Sequence, residues 1–285
     1  MPELPEVETM RRGIAEIVGA WIDDVRRPRT RLRPIEITPR FGDFRRRVVG
    51  RRIVGVTRVG KRVVVELASD DRIVFEPRMT GRLLLAEPPD REHVRLVFDL
   101  SGGGPCQLLF WNVRGLGTVR LMAPRRFARE LGPDRLGPDA LEITADQLRD
   151  RLHRSRREIK VALMDQRVVA GIGNLYASEI LHRARLDPRL RCHRIGPAAW
   201  TSLCASIREV LRQAIRLEGS TLADGTYRGP ANHPGRYQER HRVYQRAGEP
   251  CLACGRGRIV RLVQAGRSTF FCPSCQASTP RRAKR

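Results

Sequence analysis

The sequence is poor in lysine and in long apolar runs, and the second shortage removes a class of function. No apolar stretch approaches the roughly 20 residues that a membrane-spanning helix needs, and no basic amphipathic segment stands apart from the core pattern. Positions 2 to 13 are charged and lack an apolar h-region, so the expectation is no signal peptide and a cytoplasmic protein. Without a secretory context, the seven cysteines argue against a disulfide framework and for thiols plus a metal site. Only three of the 55 basic residues are lysine, namely Lys61, Lys160 and Lys284. Arginine does not release a proton near neutrality whereas lysine can, which makes Lys61 and Lys160 informative. Lys284 lies in the basic tail RRAKR and adds charge alone.

What the sequence does hold is positive charge. A formal net charge of +24 and a pI near 11.3 point to a polyanionic partner, and nucleic acid is the commonest one. At 285 residues the chain is long enough for two cores.

Three stretches follow one another. Val7, Met10, Ile14, Ile17 and Trp21 recur at helical spacing, and Pro5 suits a first helical turn. Glu6 and Glu8 then lie near the positive end of the helix dipole. Short valine- and leucine-rich runs follow: RIVGVTRV, RVVVEL, RIVFEP, RLLLAE, HVRLVFDL, CQLLFW and TVRLM. They are separated by turn signals such as SDD and SGGGP, which predicts antiparallel sheets in a sandwich or barrel. After Met122 the pattern changes. LGPDRLGPDALEIT repeats a turn-forming unit and reads as a linker. Thr144 and Gln147 form a candidate capping box, and helical patterns run on through RREIKVALMDQ, LYASEILHRA and AAWTSLCASIREVLRQAIRLEG. A Gly/Pro/Asn-rich loop and a cysteine module close the chain. The fold class expected is α+β and multidomain. An N-terminal helix and β-sandwich domain occupies residues 1–123, a linker 124–143, a helical domain with a loop 144–246, a cysteine module 247–277 and a basic tail 278–285.

The strongest motif is Cys251-x-x-Cys254 followed by Cys272-x-x-Cys275, with GRIVRLVQAGRSTFF as a hairpin between. Two such pairs at this spacing fit one closed, tetrahedral and therefore structural zinc. Pro250-Cys251-x-x-Cys254 also matches half of the zinc deaminase signature, but no H-x-E occurs anywhere in the chain, which excludes that chemistry. The turn from Val169 to Asn174 offers backbone N–H groups to a phosphate, although a packing turn between helices would look the same. At the N-terminus, removal of Met1 would give Pro2 a secondary amine, partly unprotonated at neutral pH, with Glu3 beside it to move protons. Composition alone reads Pro2 as a stiff helix start.

PELPEVET at the start, GKR at residues 60–62, RMTGRL at 78–83, VAGIGNLYASEIL at 169–181 and the ending from Val243 to Gln276 resemble the Fpg/Nei family of DNA glycosylases. The matches span almost the whole chain in family order, and PELPE favours the Fpg branch over the Nei branch. The resemblance implies an N-terminal helix with a β-sandwich, a helix-two-turn-helix domain and a zinc finger. By motif, Pro2 matches the nucleophile that attacks C1′, Glu3 the proton-shuttling carboxylate and Glu6 the buried carboxylate that orders the site. Lys61 matches the lysine assisting β-elimination, and Arg267 the arginine associated with δ-elimination. Asn174 and Lys160 match DNA-backbone contacts, and so does His93, in a loop that aligns poorly. Met79, Arg114 and Leu116 match the side chains that fill the gap left by a flipped nucleotide.

The chain departs from the family in that gap-filling loop. Where the Fpg branch shows D-P/V-R-R/K-F-G, this chain reads Asn112-Val113-Arg114-Gly115-Leu116-Gly117. Leucine replaces the aromatic wedge, asparagine the acid and glycine a basic residue. The loop GTYRGPANHPGRYQ, residues 225–238, differs as well, in a region that by the resemblance covers the flipped base. The implied function is a glycosylase and abasic-site lyase acting on oxidised purines in double-stranded DNA by β,δ-elimination, as a monomer in the bacterial nucleoid, with one structural zinc. A Nei-like enzyme for oxidised pyrimidines and a non-catalytic damage-binding relative stay open at this point.

Overall fold

The structure, a computed structural model, describes residues 2–222, 225, 227–229 and 232–277. The basic tail 278–285 with Lys284, the initiator Met1 and part of the 225–238 loop lie outside the described residues. The chain forms two compact units, residues 1–135 with 214–238, and residues 136–213 with 239–285.

The first unit opens with α1 (Leu4–Gly13), followed by β1 (Trp21–Arg26), β2 (Glu36–Thr38), α2 (Phe41–Val48), β3 (Ile53–Val59) and β4 (Arg62–Leu67). Then come β5 (Arg72–Glu76), β6 (Gly81–Leu84), β7 (Val94–Ser101), β8 (Gln107–Asn112), β9 (Thr118–Met122) and α3 (Pro124–Leu131). One sheet has the order β1-β7-β8-β6 and the other β2-β9-β5-β4-β3; every pairing is antiparallel except β2 with β9. Strand residues alternate between faces, so Val63, Val65, Phe75 and Phe98 point inward with Val7, Met10, Ile14 and Ile17 of the N-terminal segment. Phe75 bridges two rings, with centroids 5.8 Å from Phe98 and 5.6 Å from Phe110. Such aromatic pairs add about 1 kcal/mol each beyond area burial.

Two expectations need correction here. Trp21 does not continue the helix: α1 ends at Gly13, a 3₁₀ turn at Ala15–Ile17 keeps Ile17 inward, and Trp21 opens β1. The Gly19 N–H and Ala20 carbonyl both pair with Ile53 at 2.8 Å, so strand bonding captures the chain before another helical turn can form. The segment 124–143 is likewise no free tether. Its first part is α3, started by Pro124 at the first helical position. Its second LGPD copy is pinned within the second unit by Gly137 N–H to Gln166 O at 2.8 Å and Ala140 N–H to Ala170 O at 3.0 Å.

The second unit holds α4 (Ala145–Leu152), α5 (Ile159–Leu163), α6 (Asn174–Arg183), most of α7 (Pro197–Arg216), and a hairpin of β10 (Val260–Gln264) and β11 (Arg267–Phe271). The Thr144/Gln147 capping box is present in both directions, at 3.0 and 3.1 Å. The hairpin packs on α6. Among the described residues no helix is long and apolar enough to cross a membrane.

Candidate active site

Pro2, Glu3 and Glu6 are all buried at the head of α1. Glu3 is the N-cap residue. Glu6 Oε2 accepts the Glu3 backbone N–H at 2.8 Å, and its Oε1 accepts the Ser220 N–H at 2.9 Å. One carboxylate therefore joins the start of the chain to the loop after α7. Gly219 makes this approach possible: its φ is +79°, and a Cβ there would fall 2.7 Å from Glu6 Oε1. Tyr227 adds a second tie within the same unit, donating its hydroxyl to Glu218 O at 3.0 Å.

Lys61 follows Gly60 in the two-residue turn between β3 and β4, a connection that fixes register. Arg58 binds that turn through Gly60 O at 3.1 Å and reaches Glu8 Oε2 at 3.2 Å. Glu8 also receives Arg11 and Arg12, both at 2.8 Å. Burial pushes the Glu8 carboxyl up, but the hydrogen bonds from Arg11 and Arg12 and the charge of Arg58 outweigh it and hold the group ionised. Arg58 and Glu8 thus orient the Lys61 turn against α1. Glu8 lies within PELPEVET, but no local motif marks Arg58 in the sequence.

The candidate gap-filling residues flank β6 and β8, Met79 preceding the one and Arg114 and Leu116 following the other. Met79 and Leu116 are 38% and 41% exposed, as an intercalating wedge requires. Arg114 Nη1 lies 3.1 Å from Met79 Sδ, and Arg114 N–H donates to Thr80 Oγ1 at 3.1 Å. Asn112 is fully buried and donates its amide to Pro77 O at 3.2 Å, a bond no carboxylate could donate. Gly115 has φ +62°, and a Cβ there would come within 2.8 Å of Arg33 O, so the missing basic side chain has a steric reason. Buried Arg95, absent from the sequence reading, grips the loop backbone at Asn112 O (2.8 Å) and Val113 O (3.1 Å). His93 is half-buried, bound to Asp90 Oδ1 at 2.7 Å with its ring edge-on to Trp111.

The second unit assembles the remaining candidates. Gly173 caps α6, so Asn174 sits at its first position. Gln166 shapes the turn before it, accepting the Gly171 N–H and donating to Ile172 O, both at 2.9 Å. Lys160 is wholly buried, and its Nζ donates to Asn174 Oδ1 (2.6 Å), Thr269 Oγ1 (2.8 Å) and Ser268 O (3.2 Å). This placement does not suit the direct backbone contact expected of Lys160; it lies beneath Asn174 and beside the strand that begins with Arg267. Arg267 itself is exposed at the hairpin turn. Glu179, also unforeseen, accepts the N–H groups of Arg242, Val243 and Tyr244 at 2.8 to 3.0 Å and so anchors the chain entering the cysteine module.

The Sγ atoms of Cys251, Cys254, Cys272 and Cys275 lie within 4.8 Å of one another. Cys251 and Cys275 are 3.7 Å apart, and Cys254 and Cys272 are 3.9 Å apart. A tetrahedron with Zn–S bonds of about 2.3 Å has edges of about 3.8 Å, so the four thiolates fit one zinc. The backbone N–H groups of Gly257 and Arg256 pull the Cys254 thiol down to about 6, favouring the thiolate that binds metal.

Family models match almost the whole of this arrangement. The formamidopyrimidine-DNA glycosylase N-terminal domain matches residues 1–119, the H2TH domain of the same glycosylase 131–225, and the zinc finger found in FPG and IleRS 248–277. The chain belongs to the formamidopyrimidine-DNA glycosylase family. The formamidopyrimidine-DNA glycosylase of Heliobacterium modesticaldum is 39% identical, across 97% of this chain and all of that protein. Two solved structures of Lactococcus lactis Fpg are 32% identical and cover 96% of this chain. The first, a complex with abasic-site DNA, superposes with a TM-score of 0.84 over 99% of that chain. The second, a complex with DNA containing Fapy-dG, has a TM-score of 0.82 over 100% of that chain. The family zinc finger and the four-sulfur cluster agree on one structural zinc.

Proposed function

We propose that this chain is a bifunctional DNA glycosylase and abasic-site lyase of base excision repair, removing formamidopyrimidines and 8-oxoguanine from double-stranded DNA in the bacterial cytoplasm. The observation that carries the reading is the Glu6 carboxylate, which ties the head of α1, with Pro2 and Glu3, to Ser220. Such an arrangement holds a nucleophile in one orientation, which lowers the entropic part of the barrier to attack.

With Met1 removed, the Pro2 nitrogen attacks C1′ of the flipped nucleotide. The N-glycosidic bond breaks, and the base leaves with a proton delivered through Glu3. The new C1′–N bond becomes an iminium when the ring C1′–O4′ bond opens, and O4′ takes up a proton. The iminium acidifies the C2′ protons; Lys61 assists their removal, and the 3′ phosphate leaves. A second elimination, assisted by Arg267, expels the 5′ phosphate. The arginine excess supplies sequence-independent phosphate attraction, so binding weakens steeply with salt. The lesions held by the Lactococcus lactis relative supply the substrate class. Leu116 in place of the aromatic wedge bears on the opposite-base preference, since leucine intercalates but stacks less than a ring.

Borohydride reduction during reaction with an 8-oxoguanine duplex should give a stable protein–DNA adduct that maps to Pro2. Pro2→Gly should lower trapping and strand cleavage together, and intact mass should show a chain lacking Met1. Absence of any Pro2 adduct on oxidised and abasic duplexes would refute the reading. Cleavage of thymine glycol in preference to 8-oxoguanine would move the substrate to oxidised pyrimidines.

A further inference from the structure

Arg82 is an arginine buried to 2% exposure on β6, and among the described residues no carboxylate pairs with it. Its guanidinium carbon stands 5.1 Å over the Trp111 ring, its register partner on β8. Nε makes no hydrogen bond, and the polar contact of the side chain is Nη2 to Asn232 Oδ1 at 2.8 Å. Burying a guanidinium with so few partners is unfavourable, since a methionine or leucine would cover Trp111 without the desolvation cost. Burial and the nearby Arg228 lower its affinity for the proton to a pKa of about 10, so it remains cationic at neutral pH.

Asn232 is the knot of the loop that Arg82 holds. It adopts φ +63°, its N–H donates to Gly229 O at 2.9 Å, and its carbonyl accepts Arg228 Nη1 at 3.2 Å. The Gly229 N–H closes the turn on His233 O at 2.8 Å. The other end of the same loop is tied to α1, because Thr221 Oγ1 donates to Tyr227 O at 2.7 Å, and Ser220 binds Glu6. The described parts of the loop are therefore tied on one side to α1, which follows the proposed nucleophile, and on the other to the strand that follows Met79 and Thr80.

We propose that Arg82 is a positioning residue that, through Asn232, latches residues 227–229 and 232–238 of the loop after α7, so that recognition of the damaged base depends on it whereas scission of an abasic site does not. This rests on the glycosylase reading above. The split follows from the chemistry, because a preformed abasic site offers no base for the loop to hold, yet Pro2, Glu3 and Lys61 act on it unchanged.

The test uses Arg82→Met, which keeps the volume over Trp111, together with Asn232→Ala and the double variant. Hydrogen exchange of the 225–238 peptide in the free protein should rise about tenfold in each single variant and no further in the double. Excision of 8-oxoguanine should fall about tenfold, largely through kcat, while lyase activity on a preformed abasic site stays within about twofold. Arg82→Lys should recover part of the excision. Unchanged exchange in both single variants would overturn the latch whatever the enzyme's substrate, and so would an equal fall in excision and lyase activity. A wild-type protein that cleaves no lesion counts against the glycosylase reading, and the exchange result still decides the latch.

Discussion

Replacing Lys160 by methionine separates two ways in which this lysine can serve DNA binding. The buried ammonium donates three hydrogen bonds, to Asn174, Thr269 and Ser268, and is fully shielded from solvent. Hydrogen bonds from a charged donor contribute roughly 1.5–3 kcal/mol each, but methionine also removes the cost of burying the charge, leaving a net loss of about 2–4 kcal/mol. In a protein of this size that lowers the melting temperature by roughly 5–15 °C, readable by scanning calorimetry. The deciding assay is fluorescence anisotropy on a duplex carrying a stable abasic analogue, repeated across salt concentrations. A lysine that neutralises a phosphate contributes about 0.9 to the slope of log K against log salt. Lys160 acting through Asn174 contributes nothing to the slope, so K160M should bind more weakly with the slope unchanged. The effect should also overlap with that of Asn174→Ala instead of adding to it. A slope reduced by about one unit with normal stability would refute the placement and restore Lys160 as a direct contact.

Three further outcomes are expected. Glu6→Ala strands the N–H groups of Glu3 and Ser220; it should cost about 2–4 kcal/mol by denaturant melts and reduce borohydride trapping, whereas Glu16→Ala on the surface should do neither. His241 is held down at about 4 by burial and by Arg246, below its ordinary 6.5. It is neutral in the folded chain, so its contribution is intact above pH 6.5 and is lost as the pH falls towards 4. That loss is about 3 kcal/mol, visible as the difference between wild-type and His241→Phe stability curves. Leu116→Ala should leave stability within about 0.5 kcal/mol, since the side chain is exposed, yet slow excision from duplex DNA; Leu116→Phe should retain or raise it.

The valine-rich strands, the Thr144 capping box and the cysteine hairpin were legible in the sequence because each rests on neighbours a few residues apart. β2, a three-residue strand, and the arginine-rich α2 and α3 were not. FGDFRRRV and PRRFAREL bury only Phe44, Val48 and Leu131, too few apolar residues to show a period. The site divides in the same manner. Pro2, Lys61 and Asn174 lie in local motifs, whereas Arg58, Arg95 and Glu179 act across turns and strands that spacing does not reveal. Lys160 was visible as a rare lysine, but its burial follows from packing alone. The departures in the wedge read as losses in the sequence. In the structure Asn112 and Gly115 each satisfy a local demand, the first for an amide donor and the second for positive φ.

The bond between Glu6 and Ser220 spans 214 residues of sequence. At the roughly 5–20 residues per second of synthesis, the two partners emerge about 10 to 40 s apart, so the head of α1 spends that interval on the ribosome without its lock. Met1 and Pro2 are open to processing during this window, before the fold buries the start of the chain. A truncated product ending before Ser220 would carry the proline, both glutamates and the lysine and still lack a locked site. The late residues thereby make the glycosylase contingent on a finished polypeptide.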